Sequence, residues 1–322
     1  LKTQQDLWEI VPELAEVEKN MEEILFSHAD LLPPMDSFLL EKKGKRLRPA
    51  LFLASARVHR SNLQNLIPLA VSLELIHTAT LIHDDVVDNA PMRRNMPTIN
   101  SSQGDKTAIL LGDYFLARAF TILTAFGRLQ IVDLMANVIE EMSMGELQQQ
   151  KDAFNTNLTE NDYLEKIKQK TALFIASCCL AGYLTSGTTA EIESAFYNYG
   201  LNLGMAFQII DDVLDFYGKD KNTGKEKFSD IKNGIITLPV IHTLQLSPRK
   251  EELYRCLNRE KLNEAEILLI LNEIKSQQGL QYSIKTAKNY IARALSCLKK
   301  IPSEEAVENL KAMARFVLAR AY

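Results

Sequence analysis

Apolar residues recur at three- and four-residue spacing along nearly the whole chain, as in Leu7, Ile10, Leu14, Val17, Met21 and Leu25. That period matches one face of an α-helix, and no stretch keeps the two-residue alternation of a half-buried strand. Breakers punctuate the pattern at Pro33-Pro34, Gly44 to Pro49, Asn89 to Pro97, Gly127, Thr185 to Thr188, Gly218 to Gly234, Ser247-Pro248, Gln277 to Gly279 and Pro302. No proline falls between Pro97 and Pro239, which permits long uninterrupted helices there. The pattern predicts an all-α fold of about ten to thirteen helices, taken as one domain over residues 1–322. The polar run Gly218 to Gly234, rich in lysine, is too charged to pack and too long for a tight turn, so it is read as a loop able to act as a lid.

Composition narrows the function classes. Lys and Arg number 37 against 41 Asp and Glu, giving a net charge of −4 in 322 residues. Such a chain has no bulk basic field for a nucleic-acid backbone, so nucleic acid is excluded as a partner and any anionic ligand has to be held locally. Four cysteines without CxxC spacing argue against a disulfide framework or zinc site and for reduced thiols in the cytoplasm. Leu1 to Gln5 shows no signal-peptide pattern. The apolar window Leu173 to Leu184 is shorter than the ~20 residues a spanning helix needs, and Asp113 and Arg118 interrupt the stretch 108–126. No transmembrane segment is expected.

The chemistry concentrates in two acidic repeats. Asp84-Asp85-Val86-Val87-Asp88 ends one apolar helix, with Asp84 and Asp88 one turn apart on the same face. Like charges at that spacing destabilise a helix by a few tenths of a kcal/mol, roughly, and the C-terminal end of a helix dipole adds to the conflict. A hard cation relieves it, and Mg²⁺ suits carboxylate oxygens used together with substrate phosphates. The second copy, Asp211-Asp212-Val213-Leu214-Asp215, lies between apolar residues of another long helix, with Gln208 sharing its face. Carboxylates drawn out of water need a partner or a metal. Two such motifs facing across a cavity would clamp a magnesium cluster on one diphosphate. Basic clusters accompany them: Lys45, Arg46 and Arg48 before one helix, and Arg93-Arg94 after the first motif. Arginine offers a planar donor fork to phosphate oxygens. His77 stands two turns before Asp84 on the same face, whereas His83 is read as structural.

Taken in order, GKRLRP, HDDVVDNAPMRR, GELQQ from Gly145 to Gln149, Lys170-Thr171, GMAFQIIDDVLDFYG and GKEKFSDIKNG followed by TLP resemble the trans-isoprenyl (all-E polyprenyl) diphosphate synthases. The likeness is greatest to the large catalytic subunit of hexaprenyl and heptaprenyl synthases. It implies the isoprenoid synthase fold, a helical bundle around a central cavity. It also implies a Mg²⁺-dependent prenyltransferase, with two or three ions per site, that condenses isopentenyl diphosphate with an allylic diphosphate. Asp84, Asp85 and Asp88 on one side, and Asp211, Asp212 and Asp215 on the other, would hold the metals. Arg93, Lys170 and Lys225 would touch the allylic diphosphate, with Thr171 and Gln208 positioning the reacting carbon. Lys45, Arg48, His77 and Arg94 would hold isopentenyl diphosphate. The reaction implied is metal-assisted ionisation, condensation and loss of a proton. Terpene cyclases share the fold, but the second aspartate motif favours elongation over cyclisation.

In the family the elongating chain runs beside the helix of the first motif, past the positions of Ala79, Ile76 and Leu73. Alanine at 79 leaves room where a large aromatic is associated with short products, and Leu73 lies about 9 Å further along the helix. Each added isoprene unit gains roughly 3 to 4 kcal/mol on burial. A medium-to-long product, C30 to C40, is expected, with a shorter geranylgeranyl or farnesyl product, or a non-catalytic prenyl diphosphate-binding subunit, as alternatives. Ile235 stands where the family often carries a second loop lysine, a replacement found in two-component enzymes. The expected assembly is therefore a homodimer or a heterodimer with a small regulatory subunit, and release of the product implies transient contact with a membrane surface.

Overall fold

The computed structural model describes residues 7–26, 45–59, 62–93, 96–185, 187, 189–217, 228–259 and 261–320. Its helices of eight residues or more are α1 (Leu14–Phe26), α2 (Leu47–Ala56), α3 (Ile67–Val87), α4 (Asp105–Ala125), α5 (Leu129–Lys151), α6 (Glu160–Ile167), α7 (Leu173–Leu184), α8 (Ala190–Tyr217), α9 (Leu238–Leu246), α10 (Lys250–Leu257), α11 (Glu264–Ser276), α12 (Gly279–Cys297) and α13 (Glu304–Ala319). Shorter turns of helix join them. The one departure from the all-helical pattern among the described residues is a pair of two-residue strands, Met92–Arg93 and Met96–Pro97, antiparallel with Arg93 opposite Met96.

The bundle is organised around α3, α7 and α8. The face of α7 gives little direction to its burial because the helix is apolar all round, and Phe174, Ile175, Ala176, Cys178 and Cys179 are fully enclosed. It packs on α2 and α8, while α3 packs on α4 and α8 packs on α12. Two glycines on α8 permit its close approach to α7 and to the turn that precedes it. A Cβ on Gly200 would meet the Ala176 Cα at 2.6 Å, and one on Gly204 would meet the Ala172 Cα at 2.6 Å. Both contacts are with backbone, so the helices are locked at this separation.

Two helical stretches, Leu63–Val87 and Asp105–Ala125, are long and apolar enough to cross a membrane by length and composition alone, a test that the core helix of a soluble protein also passes. The first is a core element, enclosed on most sides. The second, α4, turns Ile109 and Leu110 to the outside, 45% and 60% exposed.

The basic segment before α2 divides its labour. Arg46 takes a left-handed backbone conformation, φ 50°, and its guanidinium is buried between Glu18 and Glu74, with Nε to Glu18 at 2.7 Å and Nη1 to Glu74 at 2.7 Å. The two carboxylates hold its pKa above the usual arginine value in spite of burial. Breaking such an enclosed pair leaves an uncompensated charge, a loss of about 3–5 kcal/mol. This clamp ties α1 to α3 and fixes the chain so that Lys45 and Arg48 leave it on either side.

Candidate active site

The first acidic motif ends α3 in a Schellman turn. Asp88 is the C-cap, Asn89 takes the left-handed conformation at φ 48°, and the amides of Asn89 and Ala90 return to the carbonyls of Val86 and Asp85 at 3.2 and 2.9 Å. The chain then reverses into the two-residue strands, which bring Arg93 back over the helix end. Arg93 grips Asp85 with Nε at 2.8 and 2.9 Å from the two carboxylate oxygens and Nη2 at 2.8 Å. Asp85 is only 2% exposed, so this is an enclosed fork. Asp88 faces solvent. Asp84 is pushed up to about 6, chiefly by burial, against the pull of Lys170 and Arg93.

Lys170 and Thr171 lie in a π-helical turn, Lys168–Ala172, inserted between α6 and α7. A π turn widens the helix by one residue, and such turns recur at functional sites. Here it sends adjacent side chains to different helices. Lys170 reaches Glu146 on α5, Nζ to Oε2 at 2.6 Å, and its charge acts on Asp84 and Asp88, which with Glu146 hold it protonated against burial. Thr171 donates to Gln208 Oε1 at 2.7 Å on α8. Gln208 Nε2 in turn donates to Asp212 Oδ1 at 2.8 Å, and the Tyr163 hydroxyl donates to Asp212 Oδ2 at 2.7 Å. Asp212 is raised to about 6 by burial, with those two hydrogen bonds drawing it down.

The three carboxylates of the second motif thus have three different settings. Asp212 is enclosed by Tyr163 and Gln208. Asp215 accepts from the Ser229 amide and hydroxyl at 3.1 and 2.8 Å and from the Asp230 amide at 3.3 Å, anchoring the short helix Ser229–Lys232. Asp211 is nearly half exposed and pairs with Arg320 beyond the end of α13, Oδ1 to Nη2 at 2.6 Å.

The residues expected to hold isopentenyl diphosphate stand in less polar surroundings. Arg48 is buried with its guanidinium carbon 4.9 Å from the centre of the Phe174 ring, and its Nε has no hydrogen-bond partner. Burial lowers its pKa from the usual value. His77 meets the same ring edge-on at 6.5 Å, so Phe174 joins the two expected ligands. Lys45 lies 5.1 Å over Phe316. His83 packs against α4, Nε2 3.2 Å from the Ile109 carbonyl. Ala79, Ile76 and Leu73 are fully buried on α3. Arg94 and Lys225, and with Lys225 the greater part of the expected lid, lie outside the described residues.

Four site residues escape the motif reading. Glu146 stands within GELQQ and had that signal, whereas Tyr163, Lys166 and Arg320 have none. Lys166 is buried beside Tyr163 and feels Asp212, and burial lowers its pKa.

Among the described residues no group of three acidic, histidine or cysteine side chains is already gathered as a metal cage. The donor set nevertheless fits a hard cation. Asp84, Asp88 and Asp211 are carboxylates beside a burial-raised carboxyl or a close cation, the setting in which a divalent ion replaces a proton or an organic charge.

The sequence profile of the polyprenyl synthetase family matches residues 30–274. The chain is 34% identical over 306 residues to heptaprenyl diphosphate synthase component 2 of Bacillus subtilis, covering 95% of this chain and 87% of that one. A decaprenyl diphosphate synthase structure from Rhodobacter capsulatus superposes with TM-score 0.90 at 31% identity over 98% of both chains. A polyprenyl synthase from Caulobacter crescentus, solved with calcium and isoprenyl diphosphate, does so with TM-score 0.91 at 30% identity over the full length of both. With its bundle, its paired acidic helices and this shared profile, the chain belongs to the polyprenyl synthetase family and is a prenyltransferase of the trans-prenyl diphosphate synthase type.

Proposed function

We propose that the chain extends an allylic diphosphate with isopentenyl diphosphate to a C30 to C40 all-trans product. The carrying observation is the π turn, whose consecutive residues serve both acidic helices: Lys170 acts on Asp84 and Asp88, and Thr171 is tied through Gln208 to Asp212. One ligand placed between the helices would be touched from both sides. Departure of diphosphate builds negative charge, and donors fixed in advance stabilise that charge best. Magnesium, two or three ions per site, would supply the Lewis acidity. Asp84, Asp88 and Asp211 would hold it directly. Asp85, Asp212 and Asp215, already engaged by Arg93, by Tyr163 and Gln208, and by Ser229 and Asp230, would orient those neighbours. Arg93 and Lys170 would take the leaving diphosphate, together with Lys225. Arg48, with an unpartnered buried Nε, His77, Lys45 and Arg94 would take that of isopentenyl diphosphate.

The relatives' names support a medium-to-long product: heptaprenyl and octaprenyl synthases, C35 and C40, fall in this range, and solanesyl and decaprenyl synthases lie above it. The name component 2 supports assembly with a second subunit, read here as a small regulatory one, with a homodimer as the competing arrangement. The exposed apolar residues Ile109 and Leu110 of α4 and Leu129, Met144 and Leu147 of α5 would seat either partner. Four free thiols support residence in the cytoplasm, with product release at a membrane surface.

The test is incubation of the purified chain, alone and with a small partner subunit, with farnesyl diphosphate, labelled isopentenyl diphosphate and Mg²⁺. The reading expects labelled C30 to C40 alcohols after phosphatase treatment. Products no longer than C20, or no consumption of isopentenyl diphosphate with the partner present, would refute it.

A further inference from the structure

Asp211 opens the second acidic motif, yet its visible partner comes from the far end of the chain. Arg320 follows α13, which packs on α8, and its guanidinium is held in three ways. Nη2 bonds Asp211 at 2.6 Å, the guanidinium carbon lies 4.6 Å from the centre of the Phe207 ring one turn earlier on α8, and the side chain is only 13% exposed against 45% for Asp211. Its Nη1 is buried without a hydrogen-bond partner. An unpaired buried donor is costly, so a further acceptor here would be favoured. An arginine with one edge engaged and another donor idle is equipped for a second acceptor.

We infer that Arg320 is a positioning residue that keeps Asp211 in place before metal arrives and then exchanges it for substrate diphosphate. This rests on the reading of Asp211 as a magnesium ligand. A divalent ion on Asp211 competes with the guanidinium for the same oxygen, since two cations cannot share Oδ1 without repulsion. Freed from Asp211, Nη2 and the idle Nη1 offer two parallel donors, the geometry that suits a phosphate. The stacking on Phe207 keeps the guanidinium at the edge of the site throughout. The exchange replaces one acceptor of the guanidinium by another and needs no proton.

The test uses the full chain with Mn²⁺, read by electron paramagnetic resonance, and inorganic pyrophosphate as probes. R320M removes the charge and keeps an apolar side chain over Phe207; R320K keeps the charge and loses the fork. With Mn²⁺ alone, R320M should bind the ion about tenfold more tightly than the unaltered chain, the gain from removing one charge-assisted bond. With Mn²⁺ and pyrophosphate together, R320M should bind pyrophosphate about tenfold more weakly, and R320K should recover only part of that loss. D211N should remove the Mn²⁺ difference between R320M and its parent. Equal or weaker Mn²⁺ binding by R320M, or full pyrophosphate affinity in R320K, would overturn the exchange. R320K alone decides the pyrophosphate arm should R320M fail to fold. An unaltered chain that binds neither probe would overturn the enzyme reading instead, so the two failures are distinguishable.

Discussion

The pair most open to a quantitative test is Tyr163 and Asp212. Both are enclosed, Tyr163 at 1% exposure and Asp212 at 7%. Burial raises Asp212 to about 6 and drives the Tyr163 hydroxyl well above its usual value, so the phenol stays a donor at any working pH. Tyr163→Phe removes a 2.7 Å hydrogen bond to Oδ2 and nothing else from the shape of the site. A hydrogen bond to a charged group contributes about 1.5–3 kcal/mol, and each pKa unit corresponds to 1.36 kcal/mol, so Asp212 should rise by roughly one to two units. The carboxyl would then be largely protonated near neutrality.

Protonation reaches the substrate side through Gln208. The Gln208 amide donates to Asp212 Oδ1 while its carbonyl accepts from Thr171. A neutral Asp212 is a weaker acceptor, and the amide loses the reason for its present orientation. The acid limb of the kcat/KM profile, measured by release of pyrophosphate, should therefore move up by about one to two units in Tyr163→Phe, with activity recovering at alkaline pH. An acid limb that stays in place in a variant with an unchanged melting curve would refute the reasoning, because it would mean that the charge on Asp212 does not govern the site.

Three other perturbations follow from the geometry. Gly204→Ala places a Cβ 2.6 Å from the Ala172 Cα in the π turn; the backbone has to move, a loss of about 1–3 kcal/mol, and kcat should fall more than stability alone explains, whereas full activity would show the π turn to be incidental. Ala79→Tyr, at a fully buried position on α3, should shift the product to C15 or C20 on thin-layer chromatography, and an unchanged chain length would remove α3 from the elongation path. In the metal-free protein Asp212 contributes stability that is fully present below the unfolded carboxyl value and is lost as pH rises through about 6. Between pH 4 and 7 the urea midpoint of the unaltered chain should thus fall relative to Asp212→Asn by the equivalent of about 2 kcal/mol, and a relative rise would contradict the sign of the shift.

The bundle could be read from the chain because each long helix carries its apolar period locally, and the interval from Pro97 to Pro239 leaves α4 to α8 uninterrupted. The two acidic motifs were legible for the same reason: four-residue spacing puts Asp84 with Asp88, and Asp211 with Asp215, on one face whatever surrounds them. Spacing treats the six carboxylates as equivalent, and the fold makes them unequal. Arg93 returns to Asp85 through strands of two residues each, too short to leave an alternating pattern. Tyr163 reaches Asp212 across 49 positions, and Arg320 reaches Asp211 across 109. Neither pairing has a period or a neighbour to announce it. The π turn is equally silent, since one extra residue in a helix changes no local composition. What it changes is direction, so that Lys170 and Thr171, consecutive in the chain, face opposite walls of the site. A motif count therefore gives the charge a site commands, while the setting of each carboxylate depends on which donors the fold brings to it. Here Arg93 engages Asp85, Tyr163 and Gln208 engage Asp212, Ser229 engages Asp215 and Arg320 engages Asp211, so carboxylates of one motif type stand in unequal settings.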